Sequence, residues 1–397
     1  MADPLRAALL LSTSYFEEFY GASLGMSRAQ YLSDYRNDWS WDYCEMLARA
    51  GVPCAIYMPT IERGERATTA DGYTVRFLAL SKLFAPWLRF PVLSRTPVGR
   101  YISQAVNAGS FLRSLRQALA EDQIDILCVQ EYWTARFDVL AHAVDIPIVA
   151  IDQGVPDRRE LKLFKRSAFR RCRGVVVQTM REAAKVGRFG GDAVRIPNAV
   201  DTATFSPNSD TESTSSPTIL CVGRLHDVQK RVTDVIRALA RLPADWRLEI
   251  AGTGPDRAML EQLATDLGVA ERVTFLGFVS DPADLRRLYR RASVMALPSA
   301  YEGLPMVLLE AMSCGTPVVG SDIAAIAEVI DDGASGLLVP VGDPERLAAA
   351  LERAVAERER FGAAARASVL ETYDQTVVAP RLADLLRQAN RQSAAAR

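Results

Sequence analysis

The chain has 397 residues, with 47 Lys+Arg against 48 Asp+Glu and a net charge of −1. Its composition, 49 % hydrophobic and 24 % charged, suits a soluble globular protein; it excludes a largely disordered chain and one coated in positive charge for nucleic acid. No apolar run approaches the roughly 18–20 residues of a spanning helix, and with only His142 and His226 a multi-histidine metal centre is ruled out.

The first apolar run, Ala7–Leu11, is short for a signal-peptide core and follows Asp3. The mature chain is therefore expected to start near Met1 and to stay in the cytosol. Cys54–Met58, Ile126–Val129, Ile148–Ile151 and Val175–Gln178 read as further strands, separated by longer segments of helical period. Such alternation predicts parallel α/β sheets with helices on both faces. Six cysteines occur, none in a C-x-x-C pair, and Cys128 and Cys221 sit inside apolar runs. Reduced, mostly buried thiols are expected, with neither a disulfide framework nor a zinc site.

Around Ser206–Pro217 the composition turns to Ser, Thr, Asp, Asn and Pro with no apolar period, which reads as a linker. Strands resume at Ile219–Val222, Leu248–Ala251, Val273–Leu276, Val294–Leu297, Pro317–Val319 and Gly336–Val339. Helices Val228–Arg241, Asp256–Leu267, Pro282–Arg291, Pro305–Cys314 and Pro344–Ala356 lie between or after them. The predicted architecture is two doubly wound domains: 1–205, a linker at 206–217, and 218–375, followed by a last helix at 376–397.

The halves differ in charge. Residues 1–207 hold 26 Lys+Arg against 22 Asp+Glu, and the remainder 21 against 26. Arg76 to Ala120 carries seven basic residues and no acidic one; Arg158, Arg159, Lys162, Lys165, Arg166, Arg170, Arg171 and Arg173 follow. Two readings stay open. These are solvated helix faces, or a surface that attracts an anionic acceptor or an anionic membrane leaflet.

Three strand-to-helix turns carry candidate chemistry. In the first, Gly223-Arg224-Leu225 follows a strand and Lys230 lies six positions past Arg224. In a doubly wound sheet ligands bind at the carboxyl ends of the strands. There an Arg, a Lys and helix N–H groups can neutralise a diphosphate. In the second, Gly252-Thr253-Gly254-Pro255, glycines permit a sharp turn and a close backbone approach. The third holds Glu302 and Glu310, eight residues apart and so close to one helix face. Two such carboxylates can receive neighbouring hydroxyls, and the N–H groups of Gly303 and Leu304, ahead of Pro305, can bind an oxygen.

Further stretches recur with these turns: Arg195-Ile196-Pro197-Asn198 through Pro207, Val273 to Phe278, Leu297 to Met312, Gly315-Thr316-Pro317, and Glu328 to Pro340. As a set, over about residues 170–375, they resemble glycosyltransferase family 4, retaining enzymes of the GT-B fold. The resemblance implies an α/β protein of two Rossmann-like domains facing across a cleft, the amino half choosing the acceptor and the carboxyl half binding a nucleotide sugar. It implies that Arg224 and Lys230 hold the diphosphate of a UDP-sugar and that Glu302, with Gly303, Leu304 and Pro305, takes the sugar. Glu310 would take the ribose hydroxyls, and Gly223, Gly252 and Gly254 would shape the nucleotide pocket. No metal or other cofactor is implied, because basic residues and a helix dipole do the metal's electrostatic work.

The chain also departs from that family. Gln153 stands where the family commonly has a histidine; it can hydrogen-bond a hydroxyl but cannot act as a base. Gln130-Glu131-Tyr132 replaces a histidine-bearing stretch, and Ala324-Ala325 replaces a glycine pair. The family's early glycine loop is absent, and its place is filled by Gly21, Gly25 and the aromatics Tyr15, Phe16, Phe19 and Tyr20. Those aromatics either line an acceptor pocket, with Gln153, Tyr15 and Gly21 as its candidates, or pack in the core. A lipid, a glycan or a small metabolite remains open as acceptor, with no nucleic-acid partner and with peripheral contact to the inner membrane face as one option. Two rival readings stand beside a transferase. One is a catalytically silent GT-B protein serving regulation or complex assembly. The other is a relative with different chemistry, such as pseudo-glycosyl coupling or epimerisation.

Overall fold

The computed structural model describes residues 4–11, 15–22, 25–33, 35, 39–84, 96–152, 161–207 and 216–395. The chain divides into two compact units, one of residues 1–196 with 379–397 and one of residues 197–378.

The first unit holds an eight-stranded sheet. Its strands are β1 (Ala7–Leu10), β2 (Cys54–Thr60), β3 (Glu65–Thr68), β4 (Thr74–Ala79), β5 (Ile126–Gln130), β6 (Ile148–Ile151), β7 (Val175–Val177) and β8 (Ala193–Arg195). Their order is β3-β4-β2-β1-β5-β6-β7-β8. All pairings are parallel except the β3–β4 hairpin at one edge. β1, β2 and β5 are buried along their whole length, as strands covered on both faces must be. Helix Pro97–Glu121 lies over the sheet through Phe111, Leu115 and Leu119. It starts where Thr96 accepts a hydrogen bond from the Gly99 N–H and Pro97 takes the first position, an arrangement that suits a helix N-terminus.

Phe16 and Tyr20 belong to the core of this unit. They are 2 % and 1 % exposed and pack on Tyr31 and Phe77 with ring centroids 4.8–5.6 Å apart. Phe19 is half exposed. The short helix Glu17–Ala22 is fixed by Glu17, which accepts hydrogen bonds from Thr60 and Arg28. Burial pushes the Glu17 carboxyl up, but those bonds outweigh it and hold it below the usual range.

The basic segments are less of a surface than their sequence suggests. Arg76 is turned inward, with its guanidinium on Asp122 at 2.7 Å and on Glu121 at 2.8 Å. Lys165 is fully buried and pairs with Asp138 at 2.7 Å, where Tyr101 also donates. Each is neutralised by an internal carboxylate that the linear charge count cannot assign. Leu163 and Phe164 of the same stretch are exposed. Arg158 and Arg159 lie outside the described residues.

The second unit holds a six-stranded, all-parallel sheet of β9 (Thr218–Val222), β10 (Arg247–Ala251), β11 (Val273–Gly277), β12 (Val294–Leu297), β13 (Val318–Ser321) and β14 (Leu337–Val339). The order is β11-β10-β9-β12-β13-β14, with one apolar core on each face. Chain direction across the sheet therefore reverses between β9 and β12. In the first unit it reverses between β1 and β5.

The periodic run predicted as one helix at Val228–Arg241 is two, Asp227–Lys230 and Val232–Leu239. They meet at Arg231, whose φ is 50°. The six cysteines are unpaired, and five are buried. Among the described residues, no helix is long and apolar enough to cross a membrane and no cluster could hold a metal ion.

Candidate active site

The turn after β9 lies directly on the turn after β10. The Gly223 N–H donates to Ala251 O at 3.0 Å, and the Leu225 N–H donates to Thr253 O at 2.8 Å. Gly223 and Gly252 have φ values of 148° and 150°. A Cβ on Gly252 would stand 1.9 Å from Gly223 O, and one on Gly254 would stand 2.2 Å from Leu225 O. The room that these glycines leave is filled by neighbouring backbone. Their first task is to let two loops interlock, which fixes the path of Gly223 and Arg224.

Lys230 is presented by the helix break. The Asp227 N–H donates to Asp256 at 2.6 Å, and both the N–H and the hydroxyl of Thr233 donate to Asp227 at 2.9 Å. Arg231 takes the left-handed conformation while its guanidinium donates twice to Asp234, at 2.6 and 3.0 Å. A left-handed non-glycine residue costs about 1–3 kcal/mol, and this fork offsets part of it. The Lys230 ammonium then lies 2.7 Å from Glu302 Oε1, their side chains being 16 % and 8 % exposed.

Glu302 arrives from the other side of the strand-order reversal, in the loop after β12. That loop is bonded to the Lys230 segment by the Ala300 N–H on Gln229 O at 2.8 Å. Buried Leu304 anchors it, and Pro305 precedes helix Met306–Ser313. The Lys230–Glu302 pair thus bridges the crevice where open parallel sheets bind ligands. An open depression lies there, lined in part by Gly223, Arg224, Lys230, Leu297 and Pro298. Arg224 is exposed and, among the described residues, forms no ion pair. His226 stands at the start of helix Asp227–Lys230 without capping it through its side chain.

Glu310 sits on helix Met306–Ser313 and accepts a 2.7 Å hydrogen bond from the Tyr289 hydroxyl. Its surroundings are apolar: Leu308, Leu309, Ala311 and Met312 belong to the core on that face. Burial pushes its carboxyl up to about 7, with the Tyr289 bond acting the other way. Sequence reasoning missed Tyr289. Its signal was faint, a tyrosine in register with Leu285 and Leu288 on the buried face of helix Pro282–Arg291.

Of the acceptor-side candidates, Tyr15 and Gly21 lie together at the short helix Glu17–Ala22. Tyr15 is half-buried ahead of helix Glu17–Ala22; burial and the carboxylates of Glu18 and Glu17 raise its phenol. Gly21 lies within that helix, over Glu17. Gln153 lies outside the described residues. Ala324 and Ala325 form the start of a one-turn helix.

Known proteins supply the remaining context. Residues 41–204 match the family model described as Glycosyltransferase Family 4, and residues 216–357 match the one described as Glycosyl transferases group 1. A phosphatidyl-myo-inositol mannosyltransferase of Mycolicibacterium smegmatis is 34 % identical over 292 residues, covering 68 % of this chain and 72 % of that one. A D-inositol 3-phosphate glycosyltransferase of Geodermatophilus obscurus is 35 % identical over 215 residues, 48 % of this chain and 47 % of its own. Among solved structures, sucrose-phosphate synthase of Thermosynechococcus elongatus superimposes with a TM-score of 0.75 at 20 % identity, covering 97 % of this chain and 98 % of that one. Anabaena HepE in complex with UDP gives 0.68 at 17 % identity, over 96 % and 99 % of the two chains.

Proposed function

Because the chain belongs to glycosyltransferase family 4 and is a glycosyltransferase of GT-B fold, we propose that it moves a sugar from a UDP-sugar to an acceptor hydroxyl with retention at the anomeric carbon. The observation that carries this reading is the pair Lys230–Glu302, with Arg224 beside it, at the strand-order reversal of the second unit.

In this reading Arg224 and Lys230 bind the diphosphate and neutralise the charge that grows on it as it leaves. Charge-assisted hydrogen bonds to phosphate are about twice as strong as neutral ones. Lys230 carries three N–H donors, so it can keep Glu302 while it reaches a phosphate oxygen. Glu302 is then held at the place where the hydroxyls of the donor sugar need an acceptor. The bond between the anomeric carbon and the phosphate oxygen breaks, the acceptor oxygen bonds to that carbon on the same face, and the acceptor's proton passes to the departing phosphate. No histidine base is required for that transfer, which accommodates Gln153. The acceptor class we assign is a polyol of inositol type, on the strength of the two relatives' names. The acceptor is assigned to the first unit, and contact with an anionic leaflet at the inner membrane face is part of the same proposal.

The test is UDP release from UDP-sugars, with and without a polyol acceptor, beside UDP binding by calorimetry. Turnover that rises with acceptor is expected, and Arg224→Ala should weaken UDP binding about tenfold. A parent chain that binds no UDP would sink the reading.

Glu310 gives the reading a pH signature. As a carboxylate it accepts from two ribose hydroxyls; as a carboxylic acid it loses part of that capacity. With its carboxyl near 7, UDP affinity is expected to rise between about pH 6 and pH 8 and then level. Glu310→Gln should flatten the profile. An equally steep rise in that variant would remove Glu310 from the nucleotide site.

A further inference from the structure

Arg136 is a buried cation that the donor site does not use. It is 6 % exposed and is the second residue of helix Ala135–Ala143, which follows β5. Its Nη1 donates to Leu11 O at 3.2 Å, and Leu11 is the residue just past β1. The guanidinium therefore spans the crevice between the carboxyl ends of β1 and β5. That is where strand order reverses in the first sheet, as it reverses between β9 and β12 in the second.

A guanidinium has five N–H donors. Among the described residues, its side chain bonds to Leu11 and forms no ion pair. Glu131 and Glu18 attract it from a distance, but burial dominates and pulls its pKa down to about 10. Lys165, also buried, is compensated by Asp138, and the half-buried Arg76 by Asp122. A buried charge without a counter-ion costs several kcal/mol as an order of magnitude; Arg136 has none among the described residues, and its place at the strand-order reversal is one where an outside anion can supply it. Glu131, at the end of β5, has a φ of 58°, a conformation that stores backbone strain at this same edge.

We propose that Arg136 is the anion receptor of the acceptor side, taking a phosphate group carried by the acceptor through the free face of its guanidinium fork. This rests on the reading that the first unit holds the acceptor. Guanidinium matches a phosphate bidentately, and the fork is held in place by the Leu11 carbonyl.

The test uses the full chain carrying Arg224→Ala, so that the donor cations contribute less to phosphate binding. The thermal midpoint is followed against inorganic phosphate at constant ionic strength. The midpoint should rise and saturate, and Arg136→Gln should weaken the apparent affinity about tenfold. Arg136→Lys keeps the charge but not the fork, and about threefold weakening is expected. It also serves if the glutamine variant does not fold. Phosphate affinity unchanged in a folded variant would overturn the proposal, and would show a residue that only ties Leu11 to its helix. Glycerol 3-phosphate and phosphatidylglycerol vesicles are then compared as ligands. Arg136-dependent binding of the first marks a soluble acceptor, of the second a lipid headgroup, and of neither refutes the assignment. UDP affinity on an Arg224 background should be the same in Arg136→Gln, so loss of UDP binding in the parent chain would strike the donor reading and leave the phosphate result standing.

Discussion

Lys230→Ala is expected to lower kcat/KM for sugar transfer by about 10²–10³-fold, the usual cost of removing one preorganised donor from a developing anion. Most of the loss should fall on kcat, since negative charge on the leaving diphosphate is greatest in the transition state. The variant also leaves Glu302, 8 % exposed, without its cation. Glu302 would no longer be held in place by the ammonium, so KM for the donor should rise as well. Lys230→Arg should recover only part of the rate, because a planar fork cannot repeat a single 2.7 Å ammonium contact at a helix break. Steady-state UDP release measures both parameters. A Lys230→Ala enzyme with parental kcat would remove Lys230 from the chemistry.

Gly252→Ala is expected to destabilise the second unit by about 3 kcal/mol. Its Cβ would enter the van der Waals shell of Gly223 O, at 1.9 Å, on a backbone with φ 150°. Neither atom is the end of a flexible side chain, so a loop must move. The thermal midpoint of that unit should fall by about 6–12 °C. UDP affinity should fall with it, because the displaced loop carries Gly223 and Arg224. A Gly252→Ala chain with parental midpoint and UDP affinity would mean that the two turns do not interlock as described.

The grouping of Arg224, Lys230 and Glu302 at one strand-order reversal was legible because these residues follow strands. Arg224, Lys230 and Glu302 each come just after an apolar run, and strand ends are where open sheets place ligands. What stayed hidden was partnership between distant residues. Nothing local marks Tyr289 as the donor to Glu310, or Asp138 and Asp122 as the counter-ions of Lys165 and Arg76. The break at Arg231 is invisible to a periodicity argument, since Val228, Val232, Val235, Ile236 and Leu239 keep helical spacing across it. The β3–β4 hairpin was missed because Glu65–Thr68 is an exposed polar edge with no apolar run. Arg136 reads as one more surface arginine until its burial is seen.

The Lys230–Glu302 contact also bears on how quickly a donor arrives and how long it stays. In the proposed reading the two charges cancel at short range, so Arg224, which forms no ion pair among the described residues, is the cation that an approaching diphosphate meets first. Encounter rates then respond to ionic strength as for a single positive charge. Lys230 acts only after contact, when its ammonium is shared between Glu302 and a phosphate oxygen. Its influence falls on the dissociation rate, where affinities in related complexes mostly differ. The proposed reading thereby divides capture and retention of a nucleotide sugar between two cations six residues apart.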